Sequence, residues 1–408
     1  MDRTVERRAY RAHTDIVLIL LVAAMSLMGI VAVCVATYSP ASSPDISFLN
    51  HVVESSYTMR QCLFVLVAPL VVGFLMVLPY DFLFRRTELI YWIMVVLLAV
   101  VTVFNRAQGV KAWLDIIWGY TIQPSEFAKL SMILMLAREF SKTDRPMSNT
   151  RSFLRIFLIV MIPGMVILLQ GETGSMLVII FLFAVMMYFG NVSLKTLGAL
   201  AAIAILGVLA LYGVMIATGS TDYRLARIAG WLNPDLYSTS DAYQQTQSKM
   251  VIGSGGLTGI GMFVNGSMAQ LNYVPADWTD FIFATIGETW GFVGCVSVLS
   301  VYVLILVRML YLAWFTRDKY GRMIIIGVMG MLLFHVLENV AMTLGLMPIT
   351  GIPLPFLSYG GSNMVTNMGG IGLVMNVTRN RSISIPVNTP QTMYNPYRIR
   401  KQFKTGTR

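Results

Sequence analysis

Apolar residues in this chain fall into ten long runs, at 16–37, 61–79, 88–104, 124–138, 154–170, 174–190, 194–217, 280–307, 322–346 and 361–377. A membrane-crossing helix needs about 20 mostly apolar residues. Backbone polar groups in the lipid core must pair within the protein, so runs of this length joined by polar turns predict helices and not a barrel. The pattern predicts an all-α, polytopic transmembrane bundle of about ten spans over residues 16–377. A polar N-terminal tail (1–15) and a basic C-terminal tail (378–408) flank it. A long loop, 217–279, separates spans seven and eight, and loops of such length usually carry function. It holds Arg224 and Arg227, a polar stretch at Tyr243–Ser248, and a Gly-rich apolar segment, Val251–Phe263, expected to lie at the membrane surface or to re-enter it.

Composition narrows the class. The 408 residues are 56% hydrophobic and 12% charged, with mean hydropathy +0.69, whereas a soluble domain carries roughly 25% charged residues. The formal charge of +10 does not point to nucleic acid, because Lys and Arg fall in the short segments between apolar runs. With the N-terminus inside, the inner segments hold 23 of them and the outer segments six. That bias predicts two cytoplasmic termini and a long loop on the outer face. The first run is longer than the roughly 7–15 residues of a signal-peptide core, which predicts an uncleaved span. Cys34, Cys62 and Cys295 lie far apart in apolar surroundings and read as small buried hydrophobes.

Ionisable residues at membrane depth are costly and mark candidate sites. In Gln123-Pro124-Ser125-Glu126-Phe127-Ala128-Lys129, Pro124 suits the first helical position, and Glu126 and Lys129, three apart, share a face. They form either an ion pair with a task or a simple complement to the helix terminus. Asp277 and Asp280 open the eighth run. They read as a cap and first-turn acid, or as catalytic groups, with a desolvated Asp280 suited to general base chemistry. Glu172, Glu288 and the His335–Glu338 pair complete the set; the last reads as an interior hydrogen-bonded pair or as metal ligands. Gly345–Ser362 holds three prolines and four glycines, so it is a rigid non-helical loop that must be buried or line a cavity.

Three segments, QPSEFAKL at Gln123–Leu130, TDFIFA at Thr279–Ala284 and the Gly345–Ser362 loop, resemble the signature segments of the FtsW/RodA/SpoVE (SEDS) family, in the family's order. Gln247-Ser248 and Gly253-Ser254-Gly255-Gly256-Leu257 extend the likeness over nearly the whole chain. The resemblance implies a peptidoglycan glycosyltransferase in the bacterial cytoplasmic membrane. Its substrate would be lipid II, a disaccharide-peptide on undecaprenyl pyrophosphate, its partner a class B penicillin-binding protein, and its surroundings membrane lipids. Gly351–Phe356 and the short N-terminal tail look more like the elongation branch than the division branch.

Carried over by position, Asp280 falls on the family's essential aspartate, and Glu126 and Lys129 on its paired polar residues. Asp280 is then the base that deprotonates the acceptor hydroxyl, while Lys129, Arg224 and Arg227 meet phosphate charge. Glu172, Lys111, Ser358 and Tyr359 are further substrate-binding candidates. A divalent cation such as Mg2+ or Mn2+ is compatible with this chemistry, although no spacing demonstrates a metal site. The chain departs from the family pattern at Glu172 (commonly aspartate), Ala112 (commonly arginine, with Lys111 adjacent), Thr289, Asn363 and His335. Two other functions suit the same pattern: a lipid II flippase, and a non-catalytic scaffold that activates a penicillin-binding protein.

Overall fold

A computed structural model describes residues 14–38, 55–104, 112–115, 121–217, 223–232, 241–264, 266–268, 271 and 273–380. Seven helices come first: α1 (Ile16–Ala36), α2 (Ser56–Val77), α3 (Tyr80–Phe104), α4 (Pro124–Ser141), α5 (Thr150–Leu169), α6 (Thr173–Phe189) and α7 (Leu194–Ala217). Two shorter ones, α8 (Tyr223–Leu232) and α9 (Asp241–Ser254), lie in the long loop, and α10 (Ile282–Phe315), α11 (Lys319–Thr343) and α12 (Gly361–Arg379) follow. The two-residue strands β1 (Leu114–Asp115) and β2 (Thr121–Ile122) pair antiparallel just ahead of α4.

Each of the ten predicted runs coincides with a helix. Among the described residues, α1, α2, α3, α5, α10 and α11 are long and apolar enough to cross a membrane, which makes this a multi-pass membrane protein. Nearly every residue of α4 and α12 is buried by other helices, so their polar content is shielded. Of the six, helix α11 is the most interior: 78% of its apolar stretch is buried, against 11–39% for the other five. It packs on α4, α6, α10 and α12.

Helix α10 is not the continuous span expected. Gly291 has φ 63° and ψ −161°, which breaks it. The Gly-rich segment after α9 fills the break: Ile260 N–H donates to Glu288 O (2.9 Å), Gly261 N–H to Thr289 O (3.1 Å), Phe292 N–H to Gly256 O (2.9 Å) and Val293 N–H to Leu257 O (3.1 Å). Backbone groups freed by the break are thereby paired again, as a low-dielectric setting demands. Only glycine fits here, since a Cβ on Gly259 would lie 2.2 Å from Thr289 O and one on Gly291 would lie 2.3 Å from Gly259 N.

The second half of the 345–360 loop, from Ile352 to Ser358, is largely buried inside the bundle, and Gly351 lies open on a cavity. The loop's carbonyls are taken by Asn339 Nδ2 (Ile352 O, 2.8 Å), Gln61 Nε2 (Ser358 O, 3.3 Å) and the Tyr302 hydroxyl (Pro355 O). Gly29 of α1 lets it approach, for a Cβ there would meet Phe356 O at 2.4 Å.

Candidate functional site

Four helices, α4, α6, α10 and α12, begin at the wall of one cavity of about 460 Å³. Gln123 and Glu126 reach it from the start of α4, Glu172 and Ser175 from α6, Thr279 and Asp280 from the turn before α10, and Ser362 and Asn363 from α12. Arg60 and Phe64 of α2, Arg227 of α8, and Thr350–Pro353 and Tyr359 of the loop complete the lining.

The N-termini at the cavity share a local feature. Asp15, Ser55, Asn149 and Asp318 cap α1, α2, α5 and α11 with side-chain oxygens. At α4, α6, α10 and α12 the cap positions are Gln123, Glu172, Phe281 and Gly360, and none makes a side-chain cap bond. A helix N-terminus carries about half a positive charge and first-turn N–H donors, which favour an anion. Four such ends, with Arg60 and Arg227, give the cavity an anion-binding character that its carboxylates partly offset.

Asp280 is half-buried on the cavity wall. Burial pushes its carboxyl up to about 6 from the ordinary 3.8, and the nearby Arg227 guanidinium opposes the rise. Such a value suits a general base near neutral pH. The capping reading of this motif is corrected: the N-cap of α10 is Phe281, so neither Asp277 nor Asp280 caps it. Asp277 is buried, does not line the cavity, and is pushed up to about 8 chiefly by that burial.

Glu126 and Lys129 do form the ion pair expected from their spacing, at 2.7 Å. Lys129 is 1% exposed and does not line the cavity. Its ammonium sits behind Glu126, with His335 Nε2 as second partner at 3.0 Å. The contact with phosphate expected of Lys129 is therefore replaced by a supporting one, in which the cation holds a Glu126 carboxylate that itself faces the cavity. His335 and Glu338 do not bond each other, contrary to the pairing their spacing suggested, because Glu338 accepts from the Thr350 hydroxyl instead. Among the described residues, no three His, Cys, Asp or Glu side chains come together as ligands for one metal ion.

Arg227 lines the cavity and donates to Ile349 O (3.3 Å). Arg224 lies on the same helix with its side chain outside the described residues, as is all of Lys111. Glu172 lines the cavity and accepts from Gln123 Nε2; burial raises its carboxyl, and the adjacent Glu126 adds to the rise. Tyr359 lines the cavity, its ring edge-on to Tyr57 at 5.3 Å. Ser358, expected to bind substrate, is fully buried and does not line it. Its hydroxyl accepts from Leu354 N–H (2.8 Å) and braces the loop. Sequence reasoning missed Arg60, Gln123 and Asn363 as lining residues; the signal for Arg60 was its place as a lone cation just ahead of an apolar run.

Comparison with known proteins agrees with this architecture. The FtsW/RodA/SpoVE model, described as a cell cycle protein, matches residues 15–383. The peptidoglycan glycosyltransferase MrdB of Escherichia coli strain K12 is 32% identical over 72% of this chain and 78% of its own length. The peptidoglycan glycosyltransferase RodA of Treponema pallidum is 31% identical over 89% and 97%. The crystal structure of the rod shape determining protein RodA of Thermus thermophilus superposes with a TM-score of 0.65 at 28% identity, covering 91% of this chain and 98% of that one. A chain solved in work on how a peptidoglycan synthase complex coordinates polymerization and crosslinking gives 0.72 at 28% identity, covering 90% and 98%. With a matching model over most of its length and relatives above 30% identity along most of theirs, the chain belongs to the FtsW/RodA/SpoVE family of cell cycle proteins.

Proposed function

We propose that this protein is a peptidoglycan glycosyltransferase that polymerises lipid II into glycan strands, for cell shape or division, at the outer face of the bacterial cytoplasmic membrane. The observation that carries this reading is the convergence, at one cavity, of a half-buried Asp280 with four helix N-termini lacking side-chain caps. Glycosyl transfer between lipid-linked sugars needs a base for the acceptor hydroxyl and positive charge for the departing pyrophosphate. Asp280 serves as the base. The helix N-termini, Arg60 and Arg227 receive the pyrophosphate, with Arg224 on the same helix as Arg227. Glu126, aimed by Lys129, and Glu172 with its partner Gln123 orient the substrate from the opposite wall.

Mg2+ and Mn2+ are commonly held by one or two carboxylates together with substrate phosphates. Glu126, with one buried oxygen that lacks a partner, and the neighbouring Glu172 fit such a shared site. A bound ion would add charge stabilisation for the leaving group. The excess of Lys and Arg in alternate segments supports two cytoplasmic termini, and in that orientation the cavity faces outward. Membrane lipids surround the bundle, and a class B penicillin-binding protein, which would cross-link the strands, is the proposed partner.

The test is polymerisation of labelled lipid II, read on gels, by the wild type and Asp280→Ala, each with and without a cognate class B partner. Long glycan from the wild type and none from a folded, partner-binding Asp280→Ala supports the reading. No glycan from either protein, with the partner bound, transfers support to a scaffold.

A further inference from the structure

Consecutive residues of α11 grip the loop opposite Asp280. Glu338 is completely buried, and one carboxyl oxygen accepts from the Thr350 hydroxyl while the other has no hydrogen-bond partner. Asn339 Nδ2 donates to Ile352 O at 2.8 Å and to Asp280 O at 2.7 Å. The two grips fall on either side of Gly351. That glycine has φ +74°, and a Cβ on it would lie 3.4 Å from Asp280 Oδ2. Thr350 O also packs against the start of α6, 2.8 Å from where a Cβ on Gly174 would sit. Position 350 thus touches both walls of the cavity.

A carboxyl group buried inside a helical bundle is costly, and an apolar side chain would fill the same space without that cost. What the carboxyl supplies here is a side-chain anchor on Thr350. We propose that Glu338 is a positioning residue: its bond to Thr350, acting with Asn339, fixes Gly351 beside the Asp280 carboxylate and so sets the width of the cavity at the reacting end. This rests on Asp280 being the base in glycosyl transfer. Glu338 lies behind the cavity wall and contacts no substrate. Without its bond, Thr350 is free to rotate and Gly351 drifts, while Asn339 still holds Asp280 from the other side.

Glu338→Gln retains an oxygen that accepts from Thr350; Glu338→Leu and Thr350→Val each delete the bond with little change in volume. A misplacement of about 1 Å at a reacting centre can cost on the order of a hundredfold. Glu338→Leu and Thr350→Val should therefore lower kcat for lipid II polymerisation by roughly tenfold to a hundredfold, with KM within about twofold of wild type. Glu338→Gln should stay close to wild type. The double variant Glu338→Leu/Thr350→Val should be no slower than either single change, as for two ends of one bond. Hydrogen–deuterium exchange gives a readout independent of catalysis: peptides covering 345–360 should exchange faster in Glu338→Leu and Thr350→Val and at the wild-type rate in Glu338→Gln. Wild-type kcat in Thr350→Val, a multiplicative double variant, or a Glu338→Gln as slow as Glu338→Leu would overturn the proposal. A wild type that makes no glycan would sink the polymerase reading alone, and the exchange experiment would still decide whether the clamp exists.

Discussion

Lys129→Met deletes the ammonium that joins Glu126 to His335 and leaves the Glu126 side chain, 5% exposed, without its counter-charge. At 2.7 Å and an effective dielectric constant of about 20, the attraction lost is about 6 kcal/mol. Desolvating the two ions costs several kcal/mol each, so the intact pair contributes little net stability, whereas one survivor left alone destabilises by about 3–5 kcal/mol. Glu126→Gln should be milder, because Lys129 still donates to His335 Nε2 at 3.0 Å and gains an amide oxygen as acceptor. The double variant Glu126→Gln/Lys129→Met removes both charges and should return most of the stability without restoring catalysis. Unfolding free energies of the purified proteins in detergent, measured beside glycan synthesis, separate these outcomes. A loss under about 1 kcal/mol in Lys129→Met, well short of the expected 3–5, would mean that Lys129 is not the counter-charge Glu126 depends on. So would a double variant as unstable as that single one.

Three further outcomes follow from the geometry. With Asp280 at about 6, kcat/KM should be full above that pH and fall about tenfold per unit below it as the base becomes protonated; Arg227→Met, which removes the opposing cation, should move this acid limb to higher pH. Gly291→Ala forces a Cβ to 2.3 Å from Gly259 N at a φ of +63° and should cost more than about 2 kcal/mol, seen as a lower melting temperature and faster amide exchange in 255–261. Chelation of divalent ions should slow polymerisation, Mn2+ or Mg2+ should restore it, and Glu172→Gln should raise the ion concentration needed.

The helices were legible in the sequence because the hydrophobic run is the dominant constraint on a chain in lipid. Their ends were less so: α2 starts at Ser56 and not at residue 61, since the Ser55 cap recruits a polar first turn that no hydropathy pattern marks. The break in α10 was illegible for a different reason, because Gly291 is tolerable only through its contact with Gly256–Gly261, a pairing between distant segments. At the site, spacing on one helix disclosed the Glu126–Lys129 pair. Which member faces the cavity depends on the rotation of α4 against α11 and on His335, and tertiary packing alone sets that. Asp277 was read as a candidate cap and Asp280 as the candidate base; only Asp280 reaches the cavity, because the chain turns at Ala276–Phe281 before α10 begins. Ser358 misled because a serine in a rigid loop reads equally as a ligand or as a brace.

The most direct measurement is the initial rate of glycan formation, with lipid II binding measured in parallel, in Asp280→Asn assembled with the proposed class B partner. Asparagine keeps the size and polarity of the side chain and removes its capacity to take a proton. Lipid II should bind within a few-fold of wild type, and no polymer should be detectable across the pH range. Polymerisation at a rate approaching wild type would show that Asp280 is not the base and that the chemistry lies with other residues of the cavity.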